Sequence, residues 1–124
     1  MHVPILKQGP YLIASVQSAL TDVDLIQLRD DLASMVGQYH STGIVIDVTA
    51  LDVMDSFAAR TLRSMAATVR LRGAQAVIVG IQPEVAFAMV QLGLSLSGVM
   101  TGLDLEDGLA LLVRQARQER ADAR

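Results

Sequence analysis

Two short aliphatic runs, separated by helical patterns, constrain the fold of this chain more than any other feature. Ile44–Val48 and Ala76–Val79 consist mostly of β-branched or aliphatic residues, which is typical of strands buried on both faces. Between and after these runs, apolar residues recur at spacings of three and four, as they do on amphipathic helices. Because strands alternate with helices, the sequence predicts an α/β fold with a mostly parallel sheet.

The remaining elements extend this pattern into one domain. At 124 residues the chain is long enough for one core and too short for two. Val3–Leu6 and Tyr11–Gln17 flank the turn signal Gln8-Gly9-Pro10 and predict an N-terminal hairpin, which adds an antiparallel component to the sheet. A brief strand is also predicted at Val99–Met100. We therefore expect a mixed sheet with about four helices, a domain over residues 3–118, and a frayed polar tail over residues 119–124.

Apolar stripes and end signals predict the four helices. Thr21 and Asp24 fit a capping box for the first helix, and Gly73 fits the position just after the second. Pro83 fits the first position of the third helix, and Asp104 fits the cap of the fourth. The residues predicted to face inward are Leu25, Leu28, Leu32, Met35 and Tyr39; Ala58, Leu62, Met65 and Val69; Val85, Ala86, Met89 and Val90; and Leu105, Leu109, Leu112, Val113 and Ala116.

Composition excludes several classes of function. The chain has no cysteine, which rules out disulfides, thiolate nucleophiles and cysteine-based metal or redox sites. Ten basic and thirteen acidic residues give a net charge of −3, and the few aromatic residues are scattered, so we expect no nucleic-acid partner. No apolar run approaches the ~20 residues that span a bilayer, and the first residues lack a signal-peptide pattern. We expect a cytoplasmic protein without membrane contact.

No residue pattern predicts an enzyme. Glycine-rich phosphate loops and a Gly-x-Gly-x-x-Gly motif after a strand are absent, and we expect no catalytic residue, cofactor or metal. His40, late in the first helix, is more typical of a partner for the helix C-terminus than of a general base. Asp47 and Asp52 are expected to accept local hydrogen bonds from the backbone. A phospho-receiver domain is excluded because the first strands carry no acidic pair and the only lysine is Lys7.

The segment most relevant to function is residues 46–60, where a buried strand leads through a loop into a helix. Asp55 and Ser56 lie at the predicted helix start, where either residue could serve as the N-cap. A phosphate on Ser56 would also be well placed, because a helix N-terminus presents free N–H groups and the positive end of the helix dipole. Arg60 lies one turn further and could pair with such a phosphate. A cap alone and a phosphoacceptor are therefore both open on local sequence.

The same segment resembles the signature of STAS domains, the fold of anti-sigma-factor antagonists, in which Asp-Ser or Asp-Thr marks a phosphoacceptor. The resemblance covers roughly residues 3–113 and extends to the RsbS-type subunits of the bacterial stressosome. Serine at the acceptor position fits this type better than the co-antagonist subunits, which carry threonine. The stretches that carry the resemblance are residues 3–7, 50–57, 79–86 and 92–99.

The resemblance implies a STAS fold and a non-enzymatic scaffold controlled by phosphorylation. The unphosphorylated domain would hold a GHKL-type serine kinase near Ser56, release it once Ser56 is phosphorylated, and be reset by a PP2C-like phosphatase. Asp55, Phe57 and Arg60 would surround the site, with Met54 and Leu94 as further apolar candidates.

The resemblance further implies that sister STAS co-antagonist subunits join the chain in a homo- or hetero-oligomer. Two alternatives stay open: a simpler antagonist that binds an anti-sigma kinase directly, and a small-ligand-binding STAS module.

Overall fold

The predicted order of strands and helices is confirmed. The computed structural model of the protein describes residues 3–17 and 20–122. The strands are β1 (Ile5–Gln8), β2 (Tyr11–Ser15), β3 (Gly43–Asp47), β4 (Gln75–Val79) and β5 (Met100–Gly102). The helices are α1 (Asp22–Tyr39), α2 (Ser56–Leu71), α3 (Pro83–Gln91) and α4 (Leu105–Asp122). The hairpin strands are shorter than predicted, since β1 begins at Ile5 and β2 ends at Ser15.

The strands form one five-stranded mixed sheet in the order β1-β2-β3-β4-β5. β1 and β2 pair antiparallel, and every other neighbouring pair is parallel. The register places Ala14 beside Ile46 and Ile46 beside Ile78, so three aliphatic side chains line up across the centre of the sheet. The predicted mostly parallel sheet with an N-terminal hairpin is therefore confirmed.

Helices cover both faces of the sheet, which explains why β3 and β4 are apolar at nearly every position. Ile44, Ile46 and Ile78 belong to the larger core, which contains the buried faces of α1, α2 and α3. Val45 and Val77 belong to a smaller core that is completed by Leu112 of α4. Side chains of a strand alternate between faces, so a strand buried on both sides needs apolar residues throughout.

Short side chains and capping bonds fix how the helices sit. α4 can approach β4 closely because residue 108 is a glycine. A Cβ atom at this position would lie only 2.6 Å from Val79 Cγ1. The predicted capping box of α1 is confirmed: Asp24 N–H donates to Thr21 Oγ1 at 3.2 Å, and Thr21 N–H donates to Asp24 Oδ2 at 3.0 Å. The bond from the Thr21 backbone holds the pKa of Asp24 below its usual range.

The inward face of α1 differs from the prediction at its C-terminal end. Leu25, Leu28 and Leu32 are buried as expected, but the fourth buried residue is Val36. Met35 is only half-buried, and Tyr39 is 42% exposed. Tyr39 occupies the last turn, beyond the core, where its ring centroid lies 5.8 Å from Lys7 Nζ on β1. The prediction was therefore correct for the first three residues of the stripe and was wrong where the helix passes the edge of the core.

The two later helices bury fewer side chains than predicted. On α3 only Val85 and Met89 are buried, whereas Ala86 and Val90 are exposed, because the helix contacts the core along a single row. On α4 Leu112 is buried, but Val113 is exposed.

The second helix buries the residues predicted for it, and the last helix extends into the predicted tail. The predicted stripe of α2, Ala58, Leu62, Met65 and Val69, is confirmed. α4 continues through residues 119–122 of the predicted tail, and residues 123–124 of that tail lie outside the described residues.

Candidate functional site

Ser56 is the first residue of α2 and lies at the carboxyl edge of the parallel sheet. β3 ends at Asp47, and the loop of residues 48–55 leads from there to the helix. Asp55 is the N-cap: its backbone is extended, and its Oδ1 accepts the N–H of Ala58 at 2.8 Å. The predicted cap at this position is therefore confirmed and belongs to Asp55.

Ser56 is exposed, and within the described residues its hydroxyl makes no hydrogen bond. Ser56 differs in its exposure from Ser64 and Thr68, which lie further along the same helix and are half-buried. The N–H groups of Ser56 and Phe57 are in the first turn, where an α-helix supplies no carbonyl acceptor for them. Ser56 therefore combines an accessible oxygen with a local excess of hydrogen-bond donors.

The residues predicted to surround Ser56 differ in how deeply they are buried. Arg60 is exposed one turn along α2, on the same side as Ser56. Phe57 is half-buried against the larger core, as is Leu94, and Met54 is fully part of that core. Val53, which the sequence analysis did not single out, has a side chain that is 75% exposed.

The loop before α2 is held at its start by Asp47. Asp47 Oδ1 accepts both the Thr49 N–H at 2.9 Å and the Thr49 hydroxyl at 2.6 Å. The predicted local role of Asp47 is therefore confirmed. Gly80, which follows β4 with a φ of +82°, lies against the Thr49 hydroxyl, and a side chain at residue 80 would collide with it. Glycine is needed here both for its positive φ and for the close approach of the loop.

A second anchor of this loop is Gln82, a residue that the sequence analysis missed. Gln82 Nε2 donates to the Thr49 carbonyl oxygen at 2.7 Å and lies 3.4 Å from Asp52 Oδ1. Gln82 is the N-cap residue of α3, yet its side chain makes no capping bond there. The sequence offers one signal for this role: Gln82 directly precedes the proline that starts α3, at the N-cap position. Because glutamine is not a preferred N-cap residue, its presence there indicates a different function for the side chain.

The other titratable candidates lie apart from Ser56 or serve the backbone. His40 is the C-cap of α1 in a left-handed conformation with φ +51°, close to the amino end of β3 and thus at the opposite edge of the sheet. Among the residues that the structure describes, no group of histidine, aspartate and glutamate could hold a metal ion. No helix within the same described ranges has the length and apolar content to cross a membrane.

A groove also lies at the opposite edge of the sheet, away from Ser56. It has a volume of about 490 Å³ and is lined by the amino ends of the parallel strands and the last turns of α4. Two of its polar side chains already bind each other, since Gln75 Nε2 donates to Glu119 Oε1 at 2.6 Å.

Known proteins resemble this chain in both sequence and structure. The family model described as STAS domain matches residues 2–107. The RsbT co-antagonist protein RsbRA of Bacillus subtilis (strain 168) is 34% identical over 83 residues, which are 67% of this chain and 30% of RsbRA. The chain thus spans less than a third of the length of that relative.

Among the solved structures that match, two combine nearly full coverage with more than 35% identity. A serine-to-glutamate variant of Moorella thermoacetica RsbS has a TM-score of 0.79 and 36% identity, and the match covers 93% of this chain and 97% of that one. A chain in a solved structure of the stressosome has a TM-score of 0.78 and 37% identity. The stressosome is described there as a signal integration and transduction hub. That match covers 92% of this chain and 99% of the other.

Proposed function

The chain belongs to the STAS-domain family, among its RsbS-type stressosome antagonists, and on this basis we propose that it is a phosphorylation-controlled scaffold for a serine kinase. In the unphosphorylated state it holds the kinase at the N-terminal end of α2. Phosphorylation of Ser56 releases the kinase to act downstream in a stress response. The chain contributes the docking surface and the acceptor hydroxyl, and the kinase contributes the catalysis.

The observation that carries this proposal is the state of the Ser56 hydroxyl. It is exposed and unbonded within the described residues, at the first position of a helix whose cap is supplied by its neighbour Asp55. A phosphate on this oxygen would face the N–H groups of the first turn and the positive end of the helix dipole. Modification therefore leaves α2 and its cap in place and changes only the surface.

The partners follow from the family. RsbRA and RsbRC, two relatives of this chain, are described as co-antagonists of RsbT, and one matching structure is a stressosome component. We infer a GHKL-type serine kinase as the docked enzyme, a PP2C-like phosphatase that resets Ser56, and sister STAS co-antagonist subunits as assembly partners. A simpler antagonist outside any large assembly would use the same site.

The acceptor is tested by phosphorylation with the GHKL-type serine kinase of the same organism. We expect mass spectrometry to find one phosphate on Ser56 and to find none after Ser56→Ala. Ser64→Ala and Thr68→Val are the matched controls, because both hydroxyls lie in the same helix and are half-buried. Both control variants should be phosphorylated like the wild type. Dominant phosphate at Ser64, Thr68 or Ser95 would overturn the assignment.

A further inference from the structure

The outward side of α2 carries a row of arginines, which starts one turn after Ser56. Ser56, Arg60, Arg63, Ala67 and Arg70 follow one another at alternating spacings of four and three, which places them along one side of the helix. The buried residues of α2, such as Leu62, Met65 and Val69, occupy the opposite side. We call Arg60, Arg63 and Arg70 the α2 arginine row.

Within the described residues, no acidic side chain pairs with this row. Residues 56–72 contain no aspartate or glutamate. Across residues 3–17 and 20–122, no member of the row forms an ion pair, and the only bond from it is a long one, from Arg70 Nη1 to the Gly98 carbonyl at 3.4 Å. Arg60 and Arg70 are exposed, and Arg63 is half-buried. The whole chain has a net charge of −3, so the row carries a charge opposite in sign to that of the chain.

Exposed aliphatic side chains lie just before α2 and at its end, and they indicate the class of partner. Val53 before α2 is 75% exposed, and Leu71 at the end of α2 is 90% exposed. Arginines interspersed with apolar side chains are typical of protein interfaces, where arginine is enriched and lysine is depleted. The row spans about 15 Å from Arg60 to Arg70 at 1.5 Å per residue, and a long polyanion would also meet the acidic remainder of the surface.

We propose that the α2 arginine row docks a carboxylate-rich surface of the kinase. This inference rests on the proposed function and adds the chemistry of the partner. It also accounts for release, because a phosphate on Ser56 stands one turn from Arg60. That phosphate would pair with Arg60 and would repel the carboxylates that the row attracts.

Charge reversal along the row tests this inference. We expect Arg63→Glu and Arg70→Glu each to weaken binding of the unphosphorylated protein to the kinase by about tenfold and to flatten its salt dependence, as measured by calorimetry at low and high salt. Arg63→Lys and Arg70→Lys should retain most of the affinity because they keep the charge. Arg117→Glu on α4 is the matched control: it makes the same change of charge at an exposed site across the sheet, and should change the affinity by less than about twofold.

The outcomes separate this inference from the proposed function. Wild-type affinity in both Arg63→Glu and Arg70→Glu would overturn the arginine row and leave the kinase scaffold standing. A wild-type protein that neither binds the kinase nor accepts phosphate on Ser56 would overturn both. Arg70 is exposed, so Arg70→Glu also decides the matter if thermal melts show that Arg63→Glu is unfolded. Binding of a DNA duplex or of phosphatidylserine vesicles through the row, with kinase binding unaffected by charge reversal, would also overturn the inference.

Discussion

Asp55 and Ser56, neighbours at the start of α2, have different roles. Asp55 satisfies a backbone donor of the first turn, with 2.8 Å between its Oδ1 and the Ala58 nitrogen. Because Asp55 is the cap, Ser56 does not have to cap the helix, and the residue remains exposed. A serine that also served as the cap would lose a backbone bond when modified, whereas a phosphate on Ser56 would leave the Asp55 cap in place.

A charge at Ser56 should therefore act on binding and leave stability nearly unchanged. We expect Ser56→Asp to change the free energy of unfolding by less than about 1 kcal/mol, because an anion at a helix N-terminus is tolerated. The same variant should lose on the order of 2–5 kcal/mol of kinase binding, because the new carboxylate is pressed against the docked partner. Ser56→Ala should keep the wild-type affinity and lose release.

Calorimetry against the kinase, with thermal melts alongside, measures both quantities. Equal affinities for the wild type, Ser56→Ala and Ser56→Asp would contradict a charge-operated switch.

At the scale of elements, one glutamine connects the loop before α2 to the start of α3. Gln82 bonds the Thr49 carbonyl at 2.7 Å, although the two residues are 33 positions apart in the chain. Gly80 supports the same contact by lying against the Thr49 hydroxyl. The loop that presents Ser56 is thus held from β3 by Asp47 and from the β4–α3 turn by Gln82.

Removing the Gln82 amide should loosen this loop without unfolding the domain. We expect Gln82→Ala to lower the free energy of unfolding by about 1 kcal/mol, the typical contribution of a hydrogen bond, and to speed amide hydrogen exchange in residues 49–55. Gln82→Glu should have a larger effect, because its carboxylate would face the Thr49 carbonyl and Asp52. Gln91→Ala, at the exposed end of α3, is the control. Unchanged exchange in residues 49–55 of both Gln82 variants would rule out the anchoring role.

The contrast between Gln82 and the helices shows what local sequence could predict. The elements, the Thr21 capping box and the stripe of α2 depend on residues close together in the chain, and all three were predicted. The bond from Gln82 depends on how two loops meet across the sheet, and the Gln-Pro pair alone does not indicate its partner. The exposed Tyr39 and Val90 were mispredicted for a related reason: periodicity gives the apolar side of a helix, and the neighbouring elements decide how much of it is covered.

At the scale of the whole molecule, apolar surface remains uncovered after the two cores are complete. Leu6, Val23, Phe87 and Leu103, from four separate parts of the chain, are more than 60% exposed. Apolar side chains exposed in this way are available for contacts with other subunits. It is also consistent with the assembly that we propose from the stressosome relatives.

We expect the chain to self-associate or to co-assemble with sister STAS subunits at micromolar concentration. Sedimentation velocity should show species at least twice the mass of the monomer, 13.3 kDa. Because apolar contacts are not screened by ions, this assembly should persist at high salt, whereas kinase docking through the α2 arginine row should weaken. A monomer at all salt concentrations, alone and with each sister subunit, would contradict the prediction.

The strand order has a consequence for how the chain is made. Strands β1 to β5 lie in the sheet in the order in which they occur in the chain. During synthesis each new strand can therefore add to the open edge left by its predecessor, and none has to be inserted between two strands that have already paired. Only the side covered by α4 must wait, since Leu112 reaches Val45 and Val77 after every strand has left the ribosome. Until α4 has been synthesised, a nascent chain of this protein would therefore have one side of its sheet buried and the other bare.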